Sequence, residues 1–453
     1  MKHKNHLIKA VALLTGIVLI LSSVAACTKV PADVGQNPSG KPSSSGQKPS
    51  GEGENLWAEN MNAKNVTLIT NAMASDSFDE KFLTYLSEHA KGNYMASPLS
   101  FRYALGLLLA SAEGETKAEL LKALGVSSEE EWIDKCLIFN GFVNAFDASL
   151  ARDLKSYREG LQKGYVPKES PEPFRALRVA NSVWKADWLA QDFKETYRES
   201  ISKNYAAEYR TFTAENAVEK INNWADVKTE HMIPRLLPDD YPTDALAVVL
   251  MNALYFKDSW TTAFPEAMTK EGDFHARNGK TTRKEFMTRK DDYSYYEDDD
   301  TQLVILPMNG GVSMAFVLGS TEGLSDKISQ AAETEVTVTI PKLDLETDFS
   351  GGELVDFLKA SGVRLAFDPE NADFSAMIDY RVYVDDIIQK TQLKLDEGGV
   401  EAAAVTSMMV FGKGMVVDPP KPKVFTADRP FSFYIYTTCN DVTSVMFAGE
   451  IVE

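Results

Sequence analysis

Glu397-Gly398-Gly399-Val400-Glu401-Ala402-Ala403-Ala404-Val405-Thr406-Ser407-Met408-Met409-Val410-Phe411-Gly412-Lys413 is the stretch on which the fold turns. It contains no proline, so every residue can donate a hydrogen bond to a β-ladder. Between Gly398 and Gly412 the single charge is Glu401. Taken alternately, Val400, Ala402, Ala404, Thr406, Met408 and Val410 form an uncharged, mostly small face, and Glu401 falls on the other. That is the pattern of a strand with one buried and one wet side. Yet Gly414 and then Pro419, Pro420 and Pro422 follow, which reads as exposed loop. An apolar strand beside a loop is either paired or an aggregation hazard. One resolution is a segment that is loop in one state and central strand in another. An ordinary edge strand stays open, as does a helix, which Ala402–Ala404 also favours.

Outward from this stretch the chain is globular. Its 44% hydrophobic and 25% charged residues exclude a disordered chain, a coiled coil and a multi-span membrane protein. A net charge of −19 opposes non-specific binding to nucleic acid. The spacing of Phe78, Phe82, Leu83 and Leu86 predicts an amphipathic helix. Ser97-Pro98 opens a second helix that runs to Leu109, and Gly125 ends a third over Thr116–Leu124. Strand runs dominate later, at 247–256, 303–306, 313–318, 336–340 and 431–436. Helices and strands do not alternate strictly, so the class is α+β, with one large domain over 56–453.

The N-terminus carries an address. Lys2, Lys4 and Lys9 precede an apolar run from Leu7 to Val24, and Val24-Ala25-Ala26-Cys27 closes it. The small residues before Cys27 resemble a bacterial lipobox. That resemblance implies a signal peptide over 1–26, lipidation of Cys27, and a protein tethered to a bacterial membrane on its extracellular face. An uncleaved anchor would leave the chain on the same side. Residues 27–55, rich in Pro, Gly, Ser and Lys, read as a flexible linker. Loss of three lysines with 1–26 leaves 44 basic against 66 acidic residues, net −22. Cys27, Cys136 and Cys439 do not make a disulfide scaffold; Cys136 and Cys439 are either a pair or two buried thiols.

Catalytic motifs are missing from the sequence. His89, His231 and His275 sit in no metal-ligand spacing, and there is no G-x-S-x-G elbow, P-loop or C-x-x-C. A spatial Ser-His-Asp triad leaves no fixed spacing, so a hydrolase reading stays open here.

The stretch at 397–413 resembles the reactive-loop hinge of the serpins, a family of serine-protease inhibitors. Asn93-x3-Ser97-Pro98-x-Ser100, Gly114-Glu-Thr116, Ile221-Asn222-x-Trp224 with Thr229, and Asn252-Ala-Leu-Tyr-Phe256-Lys-Asp-Ser-Trp260 are similar to family blocks in order. Ile340-Pro341-Lys342, Ala372-Asp373-Phe374-Ser375 and Asp428-Arg429-Pro430-Phe431 continue the series. The resemblance implies three β-sheets, about nine helices and an exposed loop as bait. A protease cuts the loop, forms an acyl-enzyme, and is dragged as the loop inserts into the main sheet. Insertion of roughly 12–15 residues, each ladder bond contributing about 0.5–1.5 kcal/mol with apolar burial added, implies a metastable native state.

In the family register the scissile bond is Lys413-Gly414, implying a trypsin-like target; Phe411 is the rival and implies a chymotrypsin-like one. The implied hinge is Glu397, Gly399, Val400, Glu401, Ala402, Ala403, Ala404 and Thr406. The implied sheet-opening region is Lys342, Trp260, Asn252, Ser97 and Gln389, with Lys342 and Glu397 expected to pair. The resemblance implies a monomer, and no basic helix face supports a heparin-type cofactor. His231 stands where the family usually has glycine, Gln389 where many members have histidine, and Asp385 where serine is common. A non-inhibitory binding protein on the same fold, or an envelope hydrolase, are the alternative functions.

Overall fold

The computed structural model describes residues 78–168, 170, 172–400, 422–439 and 442–453. Expectations for Cys27, the linker, Glu401–Thr406, Phe411, Lys413 and Gly414 fall outside these residues.

Local signals place the helices. In α1 (Phe78–His89), Phe78, Phe82 and Leu86 form the buried stripe. In α2 (Pro98–Ser111), the Ser97 side chain caps the Ser100 amide and Pro98 opens the first turn. Eleven of its residues are buried, so α2 runs through the core rather than along its surface. Gly125 ends α3 (Gly114–Leu124) with φ 67°. Next comes α4 (Glu129–Lys163), 35 residues capped by Ser128 and ended by Gly164 at φ 72°; the sequence analysis did not single it out. The shorter helices are α5 (Glu195–Tyr205), α6 (Ala217–Lys228), α7 (Leu324–Gln330) and α8 (Glu353–Ala360). Eight α-helices thus lie among the described residues, against about nine expected.

Strands β2 (Ala176–Ala186), β3 (Ala207–Phe212), β4 (Val248–Ser259), β10 (Leu343–Phe349), β11 (Gln389–Leu395) and β12 (Gly399–Val400) form a six-stranded sheet in the order β10-β11-β12-β4-β2-β3. The others are β1 (Tyr94–Ala96), β5 (Lys270–His275), β6 (Thr281–Glu297), β7 (Thr301–Pro307), β8 (Ser313–Gly319), β9 (Ala332–Pro341), β13 (Lys423–Thr426), β14 (Phe431–Cys439) and β15 (Val442–Ile451). They make a nine-stranded ladder. Its two halves join through the 17-residue β6, which pairs β5 and β9 along most of its length and β7 at its end. Two of the three expected sheets are therefore continuous.

The core lies between the sheets and the helices. Phe82 of α1, Phe101 of α2 and Phe357 of α8 pack as tilted rings with centroids 5.0–6.2 Å apart, each ring contributing about 2–3 kcal/mol by burial. Cys136, buried in α4, is a free thiol, which answers the pairing question.

Candidate functional site at the head of the six-stranded sheet

At the end of β11 the chain reverses over Asp396–Gly399 and starts back as β12. The Asp396 side chain builds the turn, its Oδ1 accepting from the Gly398 amide at 2.8 Å and the Gly399 amide at 3.3 Å. Gly399 has φ 144°, and a Cβ there would sit 2.7 Å from Ser259 Cα, so only glycine lets the turning strand meet β4. Val400, 3% exposed, pairs Leu395 on one side and Asp258 on the other.

The turn is clamped from three directions. The Trp260 amide donates to the Gly398 carbonyl at 2.9 Å, the Trp260 indole to the Asp396 carbonyl at 3.2 Å, and the Phe264 amide to the Glu397 carbonyl at 2.9 Å. Lys342 Nζ lies 3.0 Å from Glu397 Oε1, which also accepts from the Thr269 hydroxyl at 2.6 Å. Burial works against the Glu397 charge, but the Thr269 hydroxyl and the ammonium together hold its carboxyl below the usual range. The hydrogen bond to Glu397 raises Lys342 in return.

Across the ladder from Val400, Asp258 is almost wholly buried (1% exposed). Its carboxylate accepts from the Gly310 amide at 2.7 Å and the Ser259 amide at 2.9 Å. Burial outweighs these donors and the nearby Arg175, and pushes the carboxyl up to about 7.

Below the turn, β12 is antiparallel to both β11 and β4, so those two are parallel to each other. Among the described residues they share no ladder of their own; each pairs with β12 and with its outer neighbour. A small cavity, partly open to solvent, lies there, lined by Leu254, Phe256, Thr391, Leu393, Met95 and Ile435 among others. Sheet geometry separates strands two apart by roughly 10 Å, the width one further strand fills.

The foot of the slot is held by side chains. The Ser97 amide donates to Gln389 Oε1 at 2.8 Å, and Gln389 Nε2 donates to the Ser97 carbonyl at 3.0 Å. Ser97 Oγ donates to the Met446 carbonyl at 2.6 Å. Asn252 Nδ2 donates to Asn181 Oδ1 at 2.7 Å, bridging β4 to β2. At the end of α6, Glu230 (φ 49°) and His231 (φ 70°) are both left-handed, and Met232 and Ile233 then line the cavity. The expected glycine at 231 has its reason in that backbone; histidine takes the same conformation and sets Nδ1 2.8 Å from Asp226 Oδ2.

The structure therefore gathers Glu397, Gly399, Val400, Lys342 and Trp260 at the head of one slot, with Ser97, Gln389 and Asn252 along its length. Sequence reasoning missed Asp258, Asp396 and Thr269. An acidic residue just past an apolar strand run and two before Trp260 was the signal for Asp258. Among the described residues no group of three or more His, Cys, Asp or Glu side chains is arranged to hold a metal ion.

A sheet that receives a turning chain between two parallel strands, with a proline-free segment following, is a device for adding a strand. A family model described as Serpin (serine protease inhibitor) matches residues 73–453. The chain belongs to the serpin family. Iripin-2 of Ixodes ricinus is 30% identical over 400 residues, covering 83% of this chain and 92% of that protein. Serpin B9 of Homo sapiens is 28% identical, covering 83% and 97%. Among solved structures, a thermophilic serpin, tengpin, in its native state has a TM-score of 0.62 at 25% identity, covering 90% of this serpin and 96% of that chain. This serpin is thus of a family of protease inhibitors and not of enzymes.

Proposed function

We propose that this serpin is an inhibitor of trypsin-like serine proteases, held outside the cell by lipid on Cys27 and acting as a suicide substrate. Lys413 is the bait residue and Gly414 the leaving side. The observation that carries the reading is β12: Gly399 and Val400 stand as strand between β11 and β4, at the head of a small cavity between those strands. The chain rejoins the protein at β13, parallel to β9, so the connection between Val400 and Lys423 is tied at both ends. Further insertion as long as both ties hold draws β13 from its partner. A cut between them removes that restraint. The hinge composition Ala402-Ala403-Ala404 and Thr406 suits burial in the slot, with no proline or bulky charge facing it.

The test is incubation with trypsin, chymotrypsin and elastase, followed by a denaturing gel and mass mapping of the cut. A denaturant-resistant adduct with trypsin, acylated at Lys413, is expected, and nicked serpin is expected to melt well above intact. An adduct at Phe411 moves the target to the chymotrypsin class. Cleavage without adduct makes the protein a non-inhibitory binding serpin. Growth of the full chain with labelled fatty acid, against Cys27→Ser, tests the anchor.

A further inference from the structure

The loop between β7 and β8 is fastened to the clamp at the head of the slot. Met308 and Trp260 form a single antiparallel bridge. The Asn309 amide donates to the Ser259 carbonyl at 3.0 Å, and Asn309 Nδ2 donates to the Trp260 carbonyl at 3.2 Å. Trp260 in turn holds Asp396 and Gly398. Asn309 is exposed, while Gly310 beside it is buried, and a Cβ at 310 would run into the Phe146 ring. The Gly311 amide closes the turn on the Met308 carbonyl at 3.4 Å, which leaves the Gly310 amide to donate to Asp258 Oδ2 at 2.7 Å.

That arrangement has a chemistry of its own. The carboxamide carbon of an asparagine can be attacked by the backbone nitrogen that follows it, closing a cyclic imide, and a glycine in the next position leaves that nitrogen unshielded. The missing part in most folded chains is a base at the nitrogen. The sequence holds three Asn-Gly pairs. Asn140-Gly141 lies inside α4, where the helical ladder engages the amide. At Asn278-Gly279 the Gly279 amide donates to the Ala276 carbonyl at 2.9 Å. Of the three, Gly310 is the one whose amide meets a carboxylate. Burial lifts that carboxyl to about 7, the range that suits a general base at neutral pH, and Arg175 and Asp153 are the side-chain charges acting on it.

We propose that Asn309 is a site of self-deamidation with Asp258 as its base, and that the conversion loosens the Trp260 clamp. The Gly310 nitrogen attacks Asn309 Cγ as its proton passes to Asp258. The new N–C bond forms, the Cγ–Nδ2 bond breaks, and the side-chain nitrogen leaves as ammonia with the proton returned from Asp258. Water, reaching the exposed Asn309, then opens the imide. The product is aspartate, or its isomer in which the main chain runs through Cβ and Cγ. No oxidant or reductant takes part. Either product removes the Nδ2 donor from the Trp260 carbonyl and sets a carboxylate against it. The isomer also lengthens a turn that is pinned at Ser259 and Trp260.

The experiment incubates the full chain at pH 6, 7, 8 and 9 and follows each Asn-Gly site by mass-spectrometric peptide mapping. Conversion at Asn309 is expected to rise through pH 7 and then level off, while Asn278 keeps climbing with hydroxide. Asp258→Asn leaves an acceptor for the Gly310 amide without the base, and is expected to slow Asn309 by about tenfold or more with Asn278 unchanged. In concentrated urea, where base and nitrogen part, wild-type Asn309 is expected to lose its advantage and match Asn278; this arm needs no variant to fold. Equal Asn309 rates in wild type and Asp258→Asn, or a wild-type rate in urea as fast as in the folded chain, overturn the self-deamidation. Asn309→Asp, which supplies the product directly, is expected to form polymer severalfold faster on gentle heating, and wild-type growth overturns the link to the clamp. Neither readout depends on a protease being trapped, so failure of the inhibitory reading is distinguishable from failure here.

Discussion

Asp258 gives this serpin a pH dependence whose sign and size follow from its surroundings. Burial raises its folded pKa to about 7, whereas an unfolded aspartate titrates near 3.8. A raised carboxyl pKa means that the folded state binds the proton more tightly. Both states are protonated below about pH 3.8, and no stability is lost there. Between that value and about 7 the unfolded chain ionises while the folded one does not, and stability falls as pH rises. Above 7 the loss is complete, at about 4 kcal/mol from roughly three pKa units. Between pH 5 and pH 8 the fall is about 3 kcal/mol. With a urea m-value of roughly 3 kcal/mol/M, the midpoint drops by about 1 M. Other carboxylates titrate as well, so the measurement is the difference between wild type and Asp258→Asn, whose amide oxygen can still accept from Gly310 and whose charge is gone. Urea unfolding followed by tryptophan fluorescence at pH 5, 6, 7 and 8 is the assay. Wild type is expected to lose midpoint relative to the variant as pH rises, most steeply between 5 and 7. Parallel curves would show that the carboxylate is solvated or paired in the folded protein, and the reasoning from burial would be wrong.

Three further outcomes follow from the head and foot of the slot. Gly399→Val places a Cβ against Ser259 in a backbone conformation that valine avoids, a penalty of about 2–5 kcal/mol on β12, so the stoichiometry of inhibition should rise severalfold as loops are cut without trapping; an unchanged stoichiometry would mean that β12 is dispensable. Lys342→Ala leaves the buried Glu397 with Thr269 as its side-chain donor, a loss of about 1–3 kcal/mol that should appear as faster polymer growth on gentle heating, and a native gel showing no more polymer than wild type would refute the clamp. Gln389→Leu strands the Ser97 amide at a buried site while the Ser97 carbonyl keeps the Phe101 amide, and a melting temperature within a degree of wild type would contradict an expected loss of about 1–3 kcal/mol.

Much of this molecule is written locally. The 3.6-residue spacing of Phe78, Phe82 and Leu86, the Ser97-Pro98 cap and the Gly125 stop are each decided within a turn of helix, and the structure places α1, α2 and α3 on them. The alternation that begins at Val400 announced a strand because side-chain alternation is a property of neighbours in the chain, and Val400 stands in β12. Other features belong to no single segment. Asp258 is an ordinary acid in the sequence; its proton affinity comes from its burial against Phe146, Gly310 and Val400, which lie far from it along the chain. The Lys342–Glu397 pair was reached only through resemblance, because 55 residues separate its partners and Coulomb attraction acts on distance in space. The slot itself is a relation between β4 and β11. Local sequence sets what each segment can become; which surfaces meet, and so which charges are buried and which strand finds room, is determined only when the whole chain closes.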